Sequence, residues 1–97
     1  MAYQIFWSPT AKKSYLSILE YLMEEWTKRE AKNFAKRVDK SINQLAQNPY
    51  LNQYSKESDT FQCVLVKQVS LFYRLKGKHI ELLVFWDTRR NPRDLKL

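Results

Sequence analysis

The chain has 97 residues and a formal net charge of +7, from 17 lysines and arginines against 10 acids. That length predicts one domain, residues 1–97, around a single modest core. With 44% hydrophobic and 14% aromatic residues but one glycine and three prolines, the composition excludes a disordered or linker-rich chain. Tyr3, Ile5 and Trp7 alternate with Gln4 and Phe6, so residues 2–7 read as a first strand. Ser8-Pro9 opens a helix: the serine caps free backbone N–H groups, and proline suits the first helical position because it lacks one of them. Tyr15, Ile18, Leu19, Leu22, Met23 and Trp26 follow the spacing of one helix face.

Thr27 to Glu30 spells a capping box and starts a second helix at once. Its apolar face is Ala31, Phe34, Ala35, Val38, Ile42, Leu45 and Ala46, and its bases lie mostly on the other side. Asn48-Pro49 ends it, because a residue before proline avoids helical backbone. Residues 49–60, PYLNQYSKESDT, read as a surface loop. Phe61, Cys63 and Leu65 then alternate with Gln62, Val64 and Val66; Val69, Leu71, Tyr73 and Leu75 alternate with Ser70, Phe72 and Arg74. Lys76-Gly77-Lys78 is a hairpin turn. The run from Ile80 to Trp86 is almost wholly apolar, as in a strand buried on both faces. The expected fold is α+β: β-α-α-β-β-β, with a helical hairpin packed on a mainly antiparallel four-stranded sheet.

The residue inventory narrows the chemistry. One cysteine and one histidine, in no ligand spacing, point to no metal. One glycine rules out a glycine-rich phosphate loop, and no cofactor is expected. Cys63 reads as a buried thiol without a disulfide partner, His79 as ordinary surface beside a turn, and Glu20, Glu24 and Glu25 as a solvated helix face. The N-terminus lacks a signal-peptide layout, and no apolar run approaches the roughly 18 residues of a membrane span, so a cytosolic, membrane-free protein is expected. The basic excess calls for an anionic partner such as nucleic acid, ribosome or an acidic protein.

Arg89 and Arg90 follow the most buried strand in FWDTRRNP, residues 85–92. Arginine donates in a planar fork that fits phosphate. Either the pair forms an anion site, or it is a charged strand exit with Arg89 pairing Asp87 and Arg93 pairing Asp94. Arg74 either projects onto the sheet face opposite the helices or pairs with Glu81 across the hairpin. Trp7, Trp26 and Trp86 are expected in the core. By parity, Phe6, Phe72 and Phe85 fall on the second sheet face, whose apolar surface would need a partner to cover it.

Several stretches together carry a resemblance. They are the first strand running into Ser8-Pro9-Thr10-Ala11-Lys12-Lys13, the helix pair ending at Asn48-Pro49, LFYRL at 71–75, and HIELLVFWDTRRNP at 79–92. Over nearly its whole length the chain resembles the RelE/ParE superfamily of toxins of bacterial type II toxin–antitoxin systems. The resemblance implies a toxin held in a hetero-oligomer by a cognate acidic antitoxin, with Phe72, Phe85 and Arg74 as antitoxin-binding candidates. Its RelE-like members cut mRNA in the ribosomal A site with lysines and arginines on the sheet and a C-terminal tyrosine; ParE-like members poison DNA gyrase.

The arginine near the end of the last strand is matched by Arg90, with Arg89 beside it. The two lysines of the second strand fall on Gln62 and Val64, and the arginine of the third falls on Ser70. The C-terminal tyrosine has no counterpart in RNPRDLKL. The resemblance is therefore closer to ParE-like members, with inhibition of a macromolecular target, gyrase by analogy, as the first expectation. A ribosome-dependent mRNA endonuclease using Arg89 and Arg90 is the alternative, and an inactive antitoxin-binding homologue the further one. Arg74, Arg89, Arg90 and Lys67 are the candidate target- or nucleic-acid-binding residues.

Overall fold

The structure, a computed structural model, describes residues 2–97. Strand β1 (Gln4–Trp7) leads into helix α1 (Pro9–Glu25) and helix α2 (Lys28–Gln47). A 3-10 turn at Pro49–Leu51 comes next, then strands β2 (Gln53–Ser55), β3 (Thr60–Val66), β4 (Val69–Lys76) and β5 (His79–Asp87), and a second 3-10 turn at Pro92–Asp94. The sheet order is β1-β5-β4-β3-β2, antiparallel except that β1 pairs in parallel with β5. The α+β expectation holds, with five strands rather than four. The added strand, β2, lies within the segment read as a loop. Its three residues are all exposed, so it shows no apolar alternation, and it joins the sheet edge through its backbone pairing with β3.

Both helices begin where the capping residues place them. Ser8 is extended (φ −67°, ψ 159°), and its Oγ accepts from Ala11 N at 3.0 Å; Thr27 Oγ1 accepts from Glu30 N at 3.1 Å. The hairpin they form covers one sheet face. Phe34, Val38 and Leu45 of α2 meet Phe61, Leu65, Leu71, Tyr73, Ile80 and Leu82 there, with Ala11 of α1 fully buried. Tyr15, Ile18, Leu19 and Leu22 pack half-buried against this core. Met23 and Trp26 continue the same spacing but are 53% and 62% exposed. They stand at the end of α1, where the chain turns into α2, so Trp26 is a surface residue and not the core residue expected.

A β-bulge reverses the parity of the last strand. Phe72 pairs with Val84 and Tyr73 with Leu82, which leaves Leu83 as the extra residue. Before the bulge Ile80 and Leu82 face the helices; after it Phe85 does, in register with core Leu71. Phe85 stacks on Trp7 at 5.4 Å and lies 5.1 Å from Tyr15. It is 2% exposed, so it has no surface to offer a partner. Trp86 instead shares the opposite face with its register partner Ser70.

The bulge leaves Leu83 without a partner on β4, and on the side that β1 would occupy two serines supply partners to Leu83 and Phe85. Ser8 Oγ donates to Leu83 O at 3.0 Å, and Ser14 Oγ accepts from Phe85 N at 2.9 Å. A serine on a helix thus takes the place of the neighbouring strand, because β1 has already ended at Trp7, opposite Leu82.

Candidate functional site

Two surfaces hold the candidate residues. The first is a cleft of about 640 Å³ between the two helices and the end of the sheet. Ile18, Tyr21, Leu22 and Trp26 of α1 form one wall, Phe34 and Arg37 of α2 another, and Val66, Gln68, Val69, Asp87, Arg89 and Arg90 close the end. The cleft exists because α1 ends in exposed apolar residues beside the β3–β4 turn. Tyr21 is 46% exposed and Val66 37%.

At its mouth Asp87 ends β5 and receives Arg89 through both carboxylate oxygens: Nε to Oδ1 at 3.0 Å and Nη2 to Oδ2 at 2.7 Å. Arg89 N also donates to Asp87 Oδ1 at 2.9 Å, and Arg90 N closes the turn on Asp87 O at 3.0 Å. The Arg89 guanidinium holds the Asp87 carboxyl below the usual carboxylate range, and the carboxylate in turn pushes Arg89 further up, with a smaller contribution from Tyr21. The fork of Arg89 is thus filled by the chain's own acid, the pairing weighed in the charged-exit reading. Arg90 is placed differently, with its guanidinium carbon 4.8 Å from the centre of the Trp86 ring.

Lys67 sits exposed in the β3–β4 turn, next to Gln68, whose carbonyl accepts from Thr88 N at 2.8 Å. Arg89, Arg90 and Lys67 therefore gather at one end of the sheet. Arg74 does not join them, because it lies five residues along β4 from Val69, the partner of Asp87, roughly 17 Å at the ordinary strand rise.

The second surface is the sheet face opposite the helices. Arg74 stands on it, in register with Glu81, and donates from Nε to Asp59 O at 3.1 Å and from Nη2 to Ser58 O at 3.0 Å. Those bonds brace the β2–β3 loop, where Asp59 takes a positive φ of 54°. Glu81 pairs instead with Lys76 at 3.6 Å. Phe72 is half-buried on this face, and Phe6 is 52% exposed and edge-on to His79. Gln62 donates to Ser70 Oγ at 3.0 Å, and Val64 is 66% exposed. None of Gln62, Val64 and Ser70 titrates, so none of them is an acid or base for a leaving oxygen.

The described residues contain no grouping of three or more His, Cys, Asp or Glu able to hold a metal ion, and none of their helices is long and apolar enough to cross a membrane. Cys63 is buried in the core, and burial pushes its thiol up. The cleft was the part least visible in the residue pattern: Trp26 and Arg37 read as core and solvated helix face, yet they form its walls. The available signal was an apolar helix stripe running right up to the next capping residue, Thr27, which leaves its last aromatic at a junction.

The floor is apolar, and the rim carries Arg37, Arg90 and the Asp87-paired Arg89 together with Glu30, a balance that suits a polypeptide segment bringing apolar side chains and acids to the two unpaired guanidinium groups. Residues 5–92 match the family described as ParE toxin of type II toxin–antitoxin system, parDE. Compared with curated protein sequences, the chain matches none. Among solved structures it is similar to a chain of the chromosomal ParDE toxin–antitoxin system of P. aeruginosa, with a TM-score of 0.75 at 17% identity, covering 89% of this chain and 96% of that one. It is also similar to a chain of the RelBE2 toxin–antitoxin complex of Mycobacterium tuberculosis, with a TM-score of 0.61 at 15% identity over 90% and 99% of the two chains. The YoeB dimer of Staphylococcus aureus gives a TM-score of 0.62 at 16% identity over 89% and 97%. With the family match spanning nearly its whole length, this chain belongs to the ParE toxins of type II toxin–antitoxin systems.

Proposed function

We propose that this toxin acts by binding and inhibiting a macromolecular target, DNA gyrase by analogy with ParE-like members, and that a cognate acidic antitoxin neutralises it. The observation that carries the non-enzymatic reading is the sheet face opposite the helices. Where RelE-like members place lysines and an arginine, this chain has Gln62 hydrogen-bonded to Ser70, with exposed Val64 beside them. The antitoxin reading is supported by the cleft, where exposed Tyr21 and Trp26 adjoin Arg37 and Arg90. Arg74 and Phe72 remain contact candidates on the other face. Lys67, Arg89 and Arg90 are the candidate contacts to the target.

One observation favours the endonuclease as a second reading: Arg90 stacks on Trp86 rather than pairing with a carboxylate, as Arg89 does. A map of mRNA 5′ ends after brief induction separates the two readings. Growth arrest without new ends in translated codons is the expected result. New ends that disappear in an Arg89→Ala, Arg90→Ala variant would return the protein to the endonuclease reading.

A further inference from the structure

Helix α2 carries more than half of the chain's formal excess of +7: Lys28, Arg29, Lys32, Lys36, Arg37 and Lys40 against Glu30 and Asp39. All six bases are exposed, and among the described residues none of them joins an ion pair. At about 100° per residue, the outward arc of the helix presents Arg29, Lys32, Lys36 and Lys40, followed by the amides of Asn43 and Gln47, and no acid. Glu30 and Arg37 line the cleft, and Asp39 stands at the margin of the arc. This pattern works against the helix that carries it. Lys28, Lys32, Lys36 and Lys40 repeat at a spacing of four, where like charges repel. The last turn of the helix holds no base, so the positive charges add to the positive end of its dipole instead of offsetting the negative one. A face serving solubility alone would mix acids among the bases.

We propose that this outward face of α2 docks on the phosphate backbone of double-stranded DNA. Its length, about 27 Å from Arg29 to Gln47 at the ordinary helix rise, equals roughly eight base-pair steps of a duplex. Lys32, Lys36 and Lys40 follow one another about 6 Å apart along the axis, so each can meet a different phosphate of one strand. Asn43 and Gln47 extend the row with neutral amide donors for phosphate oxygens. Single strands are held by stacking their bases on aromatic side chains, and a polypeptide partner is held by apolar anchors as well as by charge. The arc has neither aromatic nor aliphatic residues, which leaves the regular charge array of a duplex as the complement of this face. A contact made through phosphates alone positions the protein without reading sequence. It leaves the cleft and the opposite sheet face free, and it does not depend on which target the toxin inhibits.

Fluorescence anisotropy of a labelled duplex of about 20 base pairs, titrated with the full chain over a salt series, tests this. Two triple variants are compared with the parent. One carries Lys32→Gln, Lys36→Gln and Lys40→Gln on α2; the other carries Lys12→Gln, Lys56→Gln and Lys78→Gln, which remove the same charge from other exposed positions. The α2 variant should bind at least about tenfold more weakly at low salt, and its slope of log K against log salt should be shallower by about 2–3, as the loss of three phosphate contacts requires. The other variant should stay within about threefold of the parent, with a similar slope. The α2 variant should also melt no lower than the parent, because its changes relieve repulsion along the helix. Equal weakening by both variants would reduce the effect to net charge, and an α2 variant that binds like the parent would leave the face solvated. Tighter binding of a single strand of the same length, or of poly-glutamate, would give the face a different partner. Each of these three results overturns the proposal.

Discussion

Tyr73 ties the start of the sheet to the end of α2. Its side chain is fully buried, its hydroxyl donates to Pro49 O at 2.6 Å, and it accepts from Asn52 Nδ2 at 3.0 Å. Tyr73→Phe leaves both partners short of a bond and should cost about 1–3 kcal/mol in denaturant unfolding. Burial pushes the Tyr73 hydroxyl up to about 12. A phenol raised above its unfolded value near 10 stabilises the fold fully below that value and loses the contribution as pH rises from about 10 through 12. Unfolding midpoints should therefore fall across that window, and fall less steeply in Tyr73→Phe. Asp87 acts in the opposite direction: held low by Arg89, it stabilises the fold above the ordinary carboxylate range and loses that effect as pH falls through its lowered value. Asp87→Asn should flatten the acid limb of the stability profile. The alternation of Leu71, Tyr73 and Leu75 already placed Tyr73 inward, but its partners lie across a loop whose path no local pattern specifies. The Asp87–Arg89 pairing was legible, because acid and base two residues apart at a strand exit have few other partners.

Strand β5 shows where period-two reasoning stops. Six apolar residues in seven identify a buried strand correctly, but a continuous apolar run carries no parity signal, so the extra residue at Leu83 leaves no mark on it. Phe85 and Trp86 consequently exchanged faces relative to the expectation. The compensation sits elsewhere in the chain, at Ser8 and Ser14, and Ser8 was legible only as a helix cap. Ser14→Ala removes the acceptor for Phe85 N and should cost about 1–3 kcal/mol, since the amide is left in a partly buried site. A Ser14→Ala variant as stable as the parent by urea unfolding would show that water satisfies that amide. The short edge strand β2 escaped notice for the opposite reason. Three residues long and exposed throughout, it carries no alternation to read and shows as a strand through its pairing with β3.

Across the whole molecule, the helical hairpin, the meander and the basic end of the sheet follow from capping residues, alternation and charge. The cleft depends on how α1 meets the β3–β4 turn, a tertiary relation that places Trp26 at the surface. Trp26→Ala combined with Tyr21→Asp should weaken antitoxin binding by at least about tenfold, as aromatic anchors of an interface do. It should change the melting temperature little, because Trp26 is mostly and Tyr21 about half in solvent; calorimetric titration and thermal unfolding check the two halves. On the reading proposed above, the toxin inhibits by binding rather than by cutting RNA. That reading is tested most directly by DNA supercoiling with purified gyrase in the presence of this protein, freed of any antitoxin. Dose-dependent loss of supercoiling is expected, restored by adding the antitoxin. Undiminished supercoiling at a large excess of a folded, growth-arresting protein would contradict it.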